Sequence, residues 1–409
     1  MLTLKAWCIL KDFRGSIRGH PVLNAIRGIT PLLRISGLIA TQNYQSAMAN
    51  KILNNAKSAK KDEFYTQLIY IERELQHYWQ HFRGKTILCN CDDPYESNFF
   101  KYFALQFNQL GLKKLICTCY NGSPFIGNEL PTLFDEFEEK PDEHKTGRKA
   151  YKAVITEVKD LNGDGAVDLA DVRYLLQNDR NVISQLKTGD FRSAECIDLL
   201  KEADIVVTNP PFSLFREYVA QLMKYDKKFV IIGNQNATTY KEIFPYIKNN
   251  KLWLSYNCGD MAFRVPDDYP PMVSRYWIDE KGKKWRSLGN ICWFTNLEIP
   301  KRNEFLDLVC RYSPEEYPKY ENYDAIEVSR TADIPCDYDG AMGVPITFLD
   351  KYCPEQFEII GASESEGKGF SCGLWHKESQ IAQPIANGKR TYKRLFIKLL
   401  NAYQYHDDH

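Results

Sequence analysis

The sequence predicts an α/β fold in which a doubly wound, mostly parallel sheet carries an insertion and a C-terminal region. Short apolar, β-branched runs alternate with segments of helical periodicity, and short loops join them. One run, residues 203–208, ends in two prolines, which force the chain to turn at the carboxyl end of a strand. Open α/β sheets bind their ligands at that edge. The length of 409 residues, with 44% hydrophobic and 26% charged residues, is typical of a globular protein with one large or two medium domains.

The elements follow one another in the order that a parallel sheet requires. Helices are predicted at residues 51–82, 99–110, 194–202, 214–224 and 239–248, where apolar residues recur near every 3.6 positions. Strands are predicted at residues 86–89, 114–119, 203–208 and 229–233, with an antiparallel pair at 252–254 and 291–294.

Changes in composition predict the domain boundaries. Residues 48–299 form the predicted main domain, and an acidic, turn-rich stretch from residue 121 opens an insertion that runs to residue 188. Residues 300–409 form the C-terminal region. Residues 1–47 carry six basic residues against one acid and precede Met48, so we expect a disordered tail or an artefact of start-site choice.

The turn after residue 208 consists of Asn209, Pro210, Pro211 and Phe212. An amide oxygen, proline carbonyls without local partners and an aromatic ring suit a planar base with an exocyclic amine. The amide and the Pro210 carbonyl can accept the two amine hydrogens while Phe212 stacks on the ring. The alternative is a proline-stiffened strand exit with Asn209 in an Asx turn.

Residues 160–171 match a calcium-binding loop. The pattern places ligands at Asp160, Asn162, Asp164, Ala166 (through its carbonyl), Asp168 and Asp171, with glycine at the sixth position. We expect a structural calcium ion that braces the insertion. The alternative is a turn that caps the following helix without metal.

Charge and hydropathy restrict the partners. The net charge is zero, so any surface for nucleic acid must be local, and no run of about 18 apolar residues predicts a membrane span. Cysteines in the predicted strands are typical of buried thiols in a reducing cytoplasm. The best candidate DNA contacts combine cations with an aromatic ring: Arg275, Lys283, Lys284, Trp285 and Arg286. The alternative is a solvated hairpin.

Several segments in the same order make the chain resemble the EcoRI-type adenine-specific DNA methyltransferases. They are residues 56–67, 90–94, 189–193, 204–216, 239–242, 317–320 and 342–349. The resemblance implies a Rossmann-like methyltransferase fold, S-adenosylmethionine as methyl donor and duplex DNA as substrate. It also implies that 300–409 is a target-recognition region and that a cognate restriction endonuclease is a potential partner.

Site residues can be carried over from the resemblance. It implies cofactor contacts from Phe64, Tyr65, Thr66, Asp92, Asp93, Pro94, Asp190 and Phe191, and a catalytic role for residues 209–212. One departure is the turn after the first predicted strand, Cys89 to Pro94, which lacks the glycines that such cofactor turns usually contain.

The function predicted from the sequence is site-specific methylation of adenine N6 in DNA. The same loop also serves RNA and protein-glutamine N-methyltransferases, which are the alternatives within the same class. A catalytically silent nucleic-acid binder is the alternative from another class, and the presence of Asn209 and Asp190 argues against it.

Overall fold

The main sheet determines the architecture of the protein. The computed structural model describes residues 65–94, 97–119, 150–160, 167–178, 183–265, 269–363 and 369–400. Within these ranges the main sheet has ten strands: β1 (Tyr65–Thr66), β2 (Thr86–Asn90), β3 (Lys114–Cys119), β4 (Tyr151–Ile155), β5 (Ile183–Gln185), β6 (Ile205–Thr208), β7 (Lys228–Asn234), β8 (Trp253–Arg264), β9 (Tyr276–Ile278) and β10 (Lys284–Thr295). Their order is β1-β8-β10-β7-β6-β2-β3-β4-β5, and β9 pairs with β10.

The four central strands run parallel, as the fold prediction requires. β3 pairs with β2, β2 with β6, and β6 with β7, all in parallel register. β10 and β8 continue the sheet beyond β7 as the predicted antiparallel pair. On the opposite flank, β4 and β5 add antiparallel strands. The α/β, doubly wound prediction is confirmed, and the four central carboxyl ends lie along one edge.

Helices cover both faces of the sheet. They are α1 (Leu68–Leu75), α2 (Trp79–Phe82), α3 (Asn98–Leu105), α4 (Phe107–Leu110), α5 (Leu169–Asn178), α6 (Ala194–Glu202), α7 (Phe215–Lys224) and α8 (Phe244–Lys248). Alternate residues of the buried strands feed two separate cores, because successive strand side chains point to opposite faces. Leu88 belongs to the core with α6, α7 and α8, whereas Ile87 and Cys89 belong to the core with α1 and α3.

Two element predictions need revision. Residues 65–66, predicted as helix, form strand β1 because they pair with Phe263 and Arg264 of β8. In the predicted helix 239–248, only Phe244–Lys248 is α-helical, and a 3-10 turn over Gln235–Thr239 precedes it. The described part of the predicted insertion contributes β4, α5 and β5, so this part extends the main sheet.

The C-terminal region builds a second sheet on the same core. Its strands are β11 (Ile326–Glu327), β12 (Met342–Pro345), β13 (Phe357–Ala362) and β16 (Arg394–Leu399), in the order β11-β12-β16-β13, and β14 (Ile385–Ala386) pairs with β15 (Lys389–Arg390). Apolar residues of this sheet and of the main sheet belong to one continuous buried cluster. At the junction, the Phe244 ring of α8 lies 4.8 Å from the Phe370 ring.

Across the ranges given above, none of the helices combines the length and the apolar character needed to cross a bilayer.

Candidate active site

The predicted base-binding loop follows β6 directly at the carboxyl edge of the sheet. Pro210 is buried, and Asn209 and Phe212 are half-buried. Phe212 begins a 3-10 turn that leads into α7. The Pro211 carbonyl accepts a hydrogen bond from the Leu214 amide at 2.9 Å, so the expectation that both proline carbonyls lack local partners is wrong for Pro211. The turn fixes the backbone on both sides of Pro211 and holds Phe212 at the edge.

Strand β8 connects this loop to the predicted cofactor segment. The Phe212 and Phe263 rings meet edge to face, with centroids 6.3 Å apart. Phe263 in turn pairs with Thr66 of β1, and Arg264 pairs with Tyr65. Two segments more than 140 positions apart in the chain therefore share one neighbouring residue, Phe263. Phe64, the first residue predicted for this segment, lies outside the described residues.

A second contact holds β1 beside the loop that follows β2. The Asn98 side chain, at the start of α3, donates to the Thr66 carbonyl at 2.8 Å. The Thr66 hydroxyl is buried and, among the residues that the structure describes, has no hydrogen-bond partner. A buried hydroxyl in this position is available to a bound polar ligand, since buried polar groups ordinarily find partners.

The loop after β2 turns without glycine. Cys91 takes a φ of 67°, a left-handed conformation that glycine adopts at little cost and that other residues adopt less readily.

Asp92 is the next residue in this loop. Both of its carboxyl oxygens contact hydroxyl groups of the protein, those of Ser97 at 2.8 Å and of Thr208. Burial raises the pKa of Asp92 to about 7, although both hydroxyl hydrogen bonds act in the opposite direction.

Asp93 points toward the adjacent strand pair. The Tyr151 hydroxyl of β4 donates to one carboxylate oxygen of Asp93 at 2.6 Å. Burial, together with the negative charge of Asp93, raises the pKa of Tyr151, so this phenol remains a donor. Pro94 follows in the same loop and is buried.

Asp190 and Phe191 join the same edge through α7. The Arg192 guanidinium binds both oxygens of Asp190, at 3.0 and 2.8 Å, and bridges to Glu217 of α7 at 3.0 Å. The Phe191 ring packs edge-on against Tyr218, 5.1 Å between centroids, and the Tyr218 hydroxyl donates to the Asn90 side chain. The segment is thereby connected to the end of β2.

The predicted DNA-contact residues form the β9–β10 hairpin and its approach. Arg275 pairs with Asp260 at 3.0 Å, and Lys284 donates to the Tyr269 carbonyl at 3.2 Å. The Trp285 indole donates to Asp279 at 2.8 Å.

The strand register places this hairpin near the base-binding loop. Arg286 of β10 pairs with Phe263 of β8, the residue that contacts Phe212. Lys283 immediately precedes this strand. Trp285 stacks on the exposed Trp277, with centroids 6.2 Å apart. The hairpin alternative is correct as a description of the fold; contact with DNA stays a prediction.

The predicted calcium loop lies partly outside the described residues, which exclude Asn162, Asp164 and Ala166. At its end, the Asp168 carboxylate accepts from the Asp171 amide at 3.2 Å, and the Asp171 carboxylate accepts from the Asp168 amide at 2.9 Å. This reciprocal arrangement caps the start of α5. In the described part of the chain, no group of three or more histidine, cysteine or acidic side chains is arranged to hold a metal ion.

Sequence reasoning missed the residues that join the predicted segments to one another. Asn98, Thr208 and Phe263 each connect two segments that are distant in the chain. A signal existed only near Asn98, where Ser97 precedes a helical pattern and caps α3 through the Phe99 and Phe100 amides. Phe263 is one apolar residue among many, and its role depends on strand pairing.

Comparisons with known proteins agree with one another. Residues 52–399 match the family model described as adenine-specific methyltransferase EcoRI. The type II methyltransferase M.EcoRI of Escherichia coli is 47% identical over 353 residues, which cover 85% of this chain and 96% of that protein. M.MgeORF184P of Mycoplasma genitalium is 38% identical, over 84% of this chain and 98% of the relative. M.MpnI of Mycoplasma pneumoniae is 37% identical, over 75% and 84% respectively. No solved structure gives a significant match.

Proposed function

The chain belongs to the family of EcoRI adenine-specific methyltransferases, and on that premise we propose how its site works. It transfers a methyl group from S-adenosylmethionine to N6 of an adenine that is flipped out of duplex DNA at a specific sequence. The observation that carries this proposal is the contact of Phe263 with both the base-binding loop and strand β1. Methyl transfer needs the donor and the acceptor side by side, and this contact supports that arrangement.

The residues at the edge fit a cofactor of this kind. The buried Thr66 hydroxyl supports a polar ligand next to β1. We infer that Tyr65 and Thr66 face the methionine end, that Asp93 and Pro94 border the middle, and that Asp190 and Phe191 border the adenine end. When bound, S-adenosylmethionine supplies an electrophilic methyl group on a sulfonium sulfur.

The base-binding loop supplies orientation. The Asn209 side-chain oxygen and the Pro210 carbonyl accept the two hydrogens of the N6 amine, which localises the nitrogen lone pair and directs it away from the ring. Phe212 stacks on the extruded base and offsets part of the unstacking cost of a few kcal/mol. No protein nucleophile is required, because positioning and electrostatic complementarity are sufficient for a direct displacement.

The DNA surface we propose is the β9–β10 hairpin, with Arg275, Lys283, Lys284, Trp285 and Arg286. Its register beside Phe263 supports a duplex lying across the same edge as the flipped base. The region after residue 300 reads the target sequence. A restriction endonuclease that cleaves the same sequence is the proposed partner, and the cytoplasm is the proposed location.

Calcium binding by residues 160–171 is a separate proposal. Asp168 and Asp171 already cap α5, so an ion would bind them in addition to or in exchange for these bonds. Titration calorimetry with calcium decides it: a saturable heat that vanishes in Asp160→Ala supports the site, and the absence of heat removes it.

The experiment for the function uses the full chain with methyl-labelled S-adenosylmethionine. Unmethylated genomic DNA, total RNA and a release-factor protein are offered separately. We expect label in DNA, and single-molecule sequencing should find N6-methyladenine at one recurring sequence. Label in RNA or in glutamine would favour the alternatives, and cofactor binding without any transfer would indicate a silent binder.

A further inference from the structure

Thr208, the last residue of β6, makes two contacts with its one hydroxyl. Its oxygen lies within hydrogen-bond distance of the Asn90 carbonyl and of one carboxyl oxygen of Asp92. A hydroxyl carries a single proton and can donate only one hydrogen bond in a given orientation. The Asn90 carbonyl can only accept. If Asp92 is ionised, one of the two contacts joins two acceptors without a proton between them.

A proton on Asp92 resolves this conflict. A carboxylic acid can donate to the Thr208 oxygen, and the Thr208 proton then points to the Asn90 carbonyl. The other oxygen of Asp92 accepts from Ser97 at 2.8 Å. Ser97 must be the donor in this contact, because its oxygen already accepts from the Phe99 and Phe100 amides and has no lone pair left for a proton of Asp92. Every contact in this network is then a hydrogen bond.

The surroundings of Asp92 favour the neutral acid. Asp92 is 8% exposed, and burial raises its pKa to about 7. The titratable groups that face it are Asp93 in the same loop, Cys89 on β2, Cys117 on β3 and Tyr218 on α7. Burial raises the pKa of both thiols and of the phenol, so these groups are neutral, and Asp93 is an acid. None of the four is a cation.

We propose that Asp92 acts as a neutral carboxylic acid that positions Thr208 and, through it, the adjacent Asn209, and that it is not a contact to the cofactor. This inference rests on the proposed function of the loop. When Asp92 loses its proton, the end of β6 loses a hydrogen bond and gains a buried charge, so the amide of Asn209 is held less firmly against the amine. The rate of methyl transfer should fall as the pH rises, while affinity for S-adenosylmethionine stays constant.

The test measures single-turnover methyl transfer to unmethylated genomic DNA, together with cofactor binding by calorimetry, from about pH 6 to about pH 9. For the wild-type chain we expect the rate to fall by up to about tenfold per pH unit above the pKa of Asp92. Asp92→Asn keeps a donor and an acceptor at all pH values. It should retain the rate of the low-pH form and lose the fall at high pH.

Two further variants separate positioning from folding. Thr208→Ser keeps the hydroxyl and should preserve the wild-type pH profile. Thr208→Val keeps the shape and should reduce the rate per folded molecule by about tenfold with unchanged cofactor affinity, while its melting temperature falls below that of Thr208→Ser because a buried hydrogen bond is lost. An Asp92→Asn variant that keeps the high-pH fall would overturn the proposal. So would an Asp92→Asn variant that binds the cofactor about tenfold more weakly while its rate at saturation is normal. Wild-type protein that makes no N6-methyladenine would instead contradict the proposed function.

Discussion

One buried acid, Asp92, lies in the loop after β2 of the main sheet, another, Glu327, lies on β11 of the C-terminal sheet, and the two have different partners. Asp92 and Glu327 are equally buried, at 8% and 7% exposure. Glu327 receives two hydrogen bonds from the Arg394 guanidinium, at 2.6 and 3.1 Å, and forms an ion pair with it. The Asp92 carboxyl instead meets the hydroxyls of Ser97 and Thr208. The comparison teaches that equal burial does not determine whether a carboxyl can carry its charge. A guanidinium partner compensates a buried charge, and hydroxyl partners alone do not.

The two acids also differ in the charge that their partners supply. Burial alone would lower the pKa of Arg394, but its hydrogen bonds and charge interaction with Glu327 raise it, so the buried guanidinium keeps its charge. This pair joins β11 to β16 in the C-terminal sheet. We propose that the carboxyl edge of the main sheet depends instead on the proton of Asp92, which neutral solution can remove.

The largest expected effect breaks the C-terminal pair. Arg394→Met leaves Glu327 buried without its cation and should lower the free energy of unfolding by about 3–5 kcal/mol. Urea unfolding measures it. The double variant with Glu327→Gln is the control and should recover much of the loss. Methyl transfer per folded molecule should not change; a specific loss of transfer in folded Arg394→Met would mean that the two regions are not separate in role.

The second prediction is a variant that loses activity and keeps its stability. Asn209→Ala should reduce the methyl-transfer rate by about 10²–10³-fold, because it removes one of the two acceptors for the amine. Urea unfolding and cofactor affinity should stay as in the wild type. Asn209→Asp, which keeps an acceptor oxygen, is the matched control and should retain more activity. Near-wild-type turnover by Asn209→Ala would refute the catalytic assignment.

The third prediction concerns the aromatic ring of the loop. Phe212→Ala should weaken binding of the extruded base by about 1–3 kcal/mol, since it removes a stacking surface. Fluorescence of 2-aminopurine placed at the target position reports the extruded base. Phe212→Tyr keeps the ring and should behave like the wild type. Equal fluorescence in all three proteins would show that Phe212 serves packing against Phe263 only.

The smallest effect is expected at the hairpin. Neutralising Lys283 and Lys284 with glutamine should reduce the slope of log K for DNA against log salt by about 0.9 for each phosphate that the protein no longer neutralises. The double variant Lys201→Gln with Lys224→Gln, which removes two cations from α6 and α7, is the control for net charge. An unchanged slope would place the phosphate-binding cations on another surface.

The sequence predicted the parts of the molecule that local patterns determine. The central strands β2, β3, β6 and β7 are apolar runs that local sequence identifies as strands. The two prolines of residues 210–211 likewise locate the turn after β6. Local periodicity predicts a helix at Tyr65 and Thr66, because it cannot show pairing with a strand about 200 positions later. Local patterns also do not predict the roles of Thr208 and Phe263, because their contacts join residues that are distant in the chain.

The buried cluster shared by the two sheets restricts which parts of the chain can be exchanged with those of a relative. Apolar residues of β12, β13 and β16 and those of β6 and β7 complete a single interior. Suppose the whole region after residue 300 were exchanged with that of a relative. The core would then combine side chains from two different proteins, and their packing would be mismatched. We therefore expect the region after residue 300 not to be exchangeable as a unit without repacking of this interior.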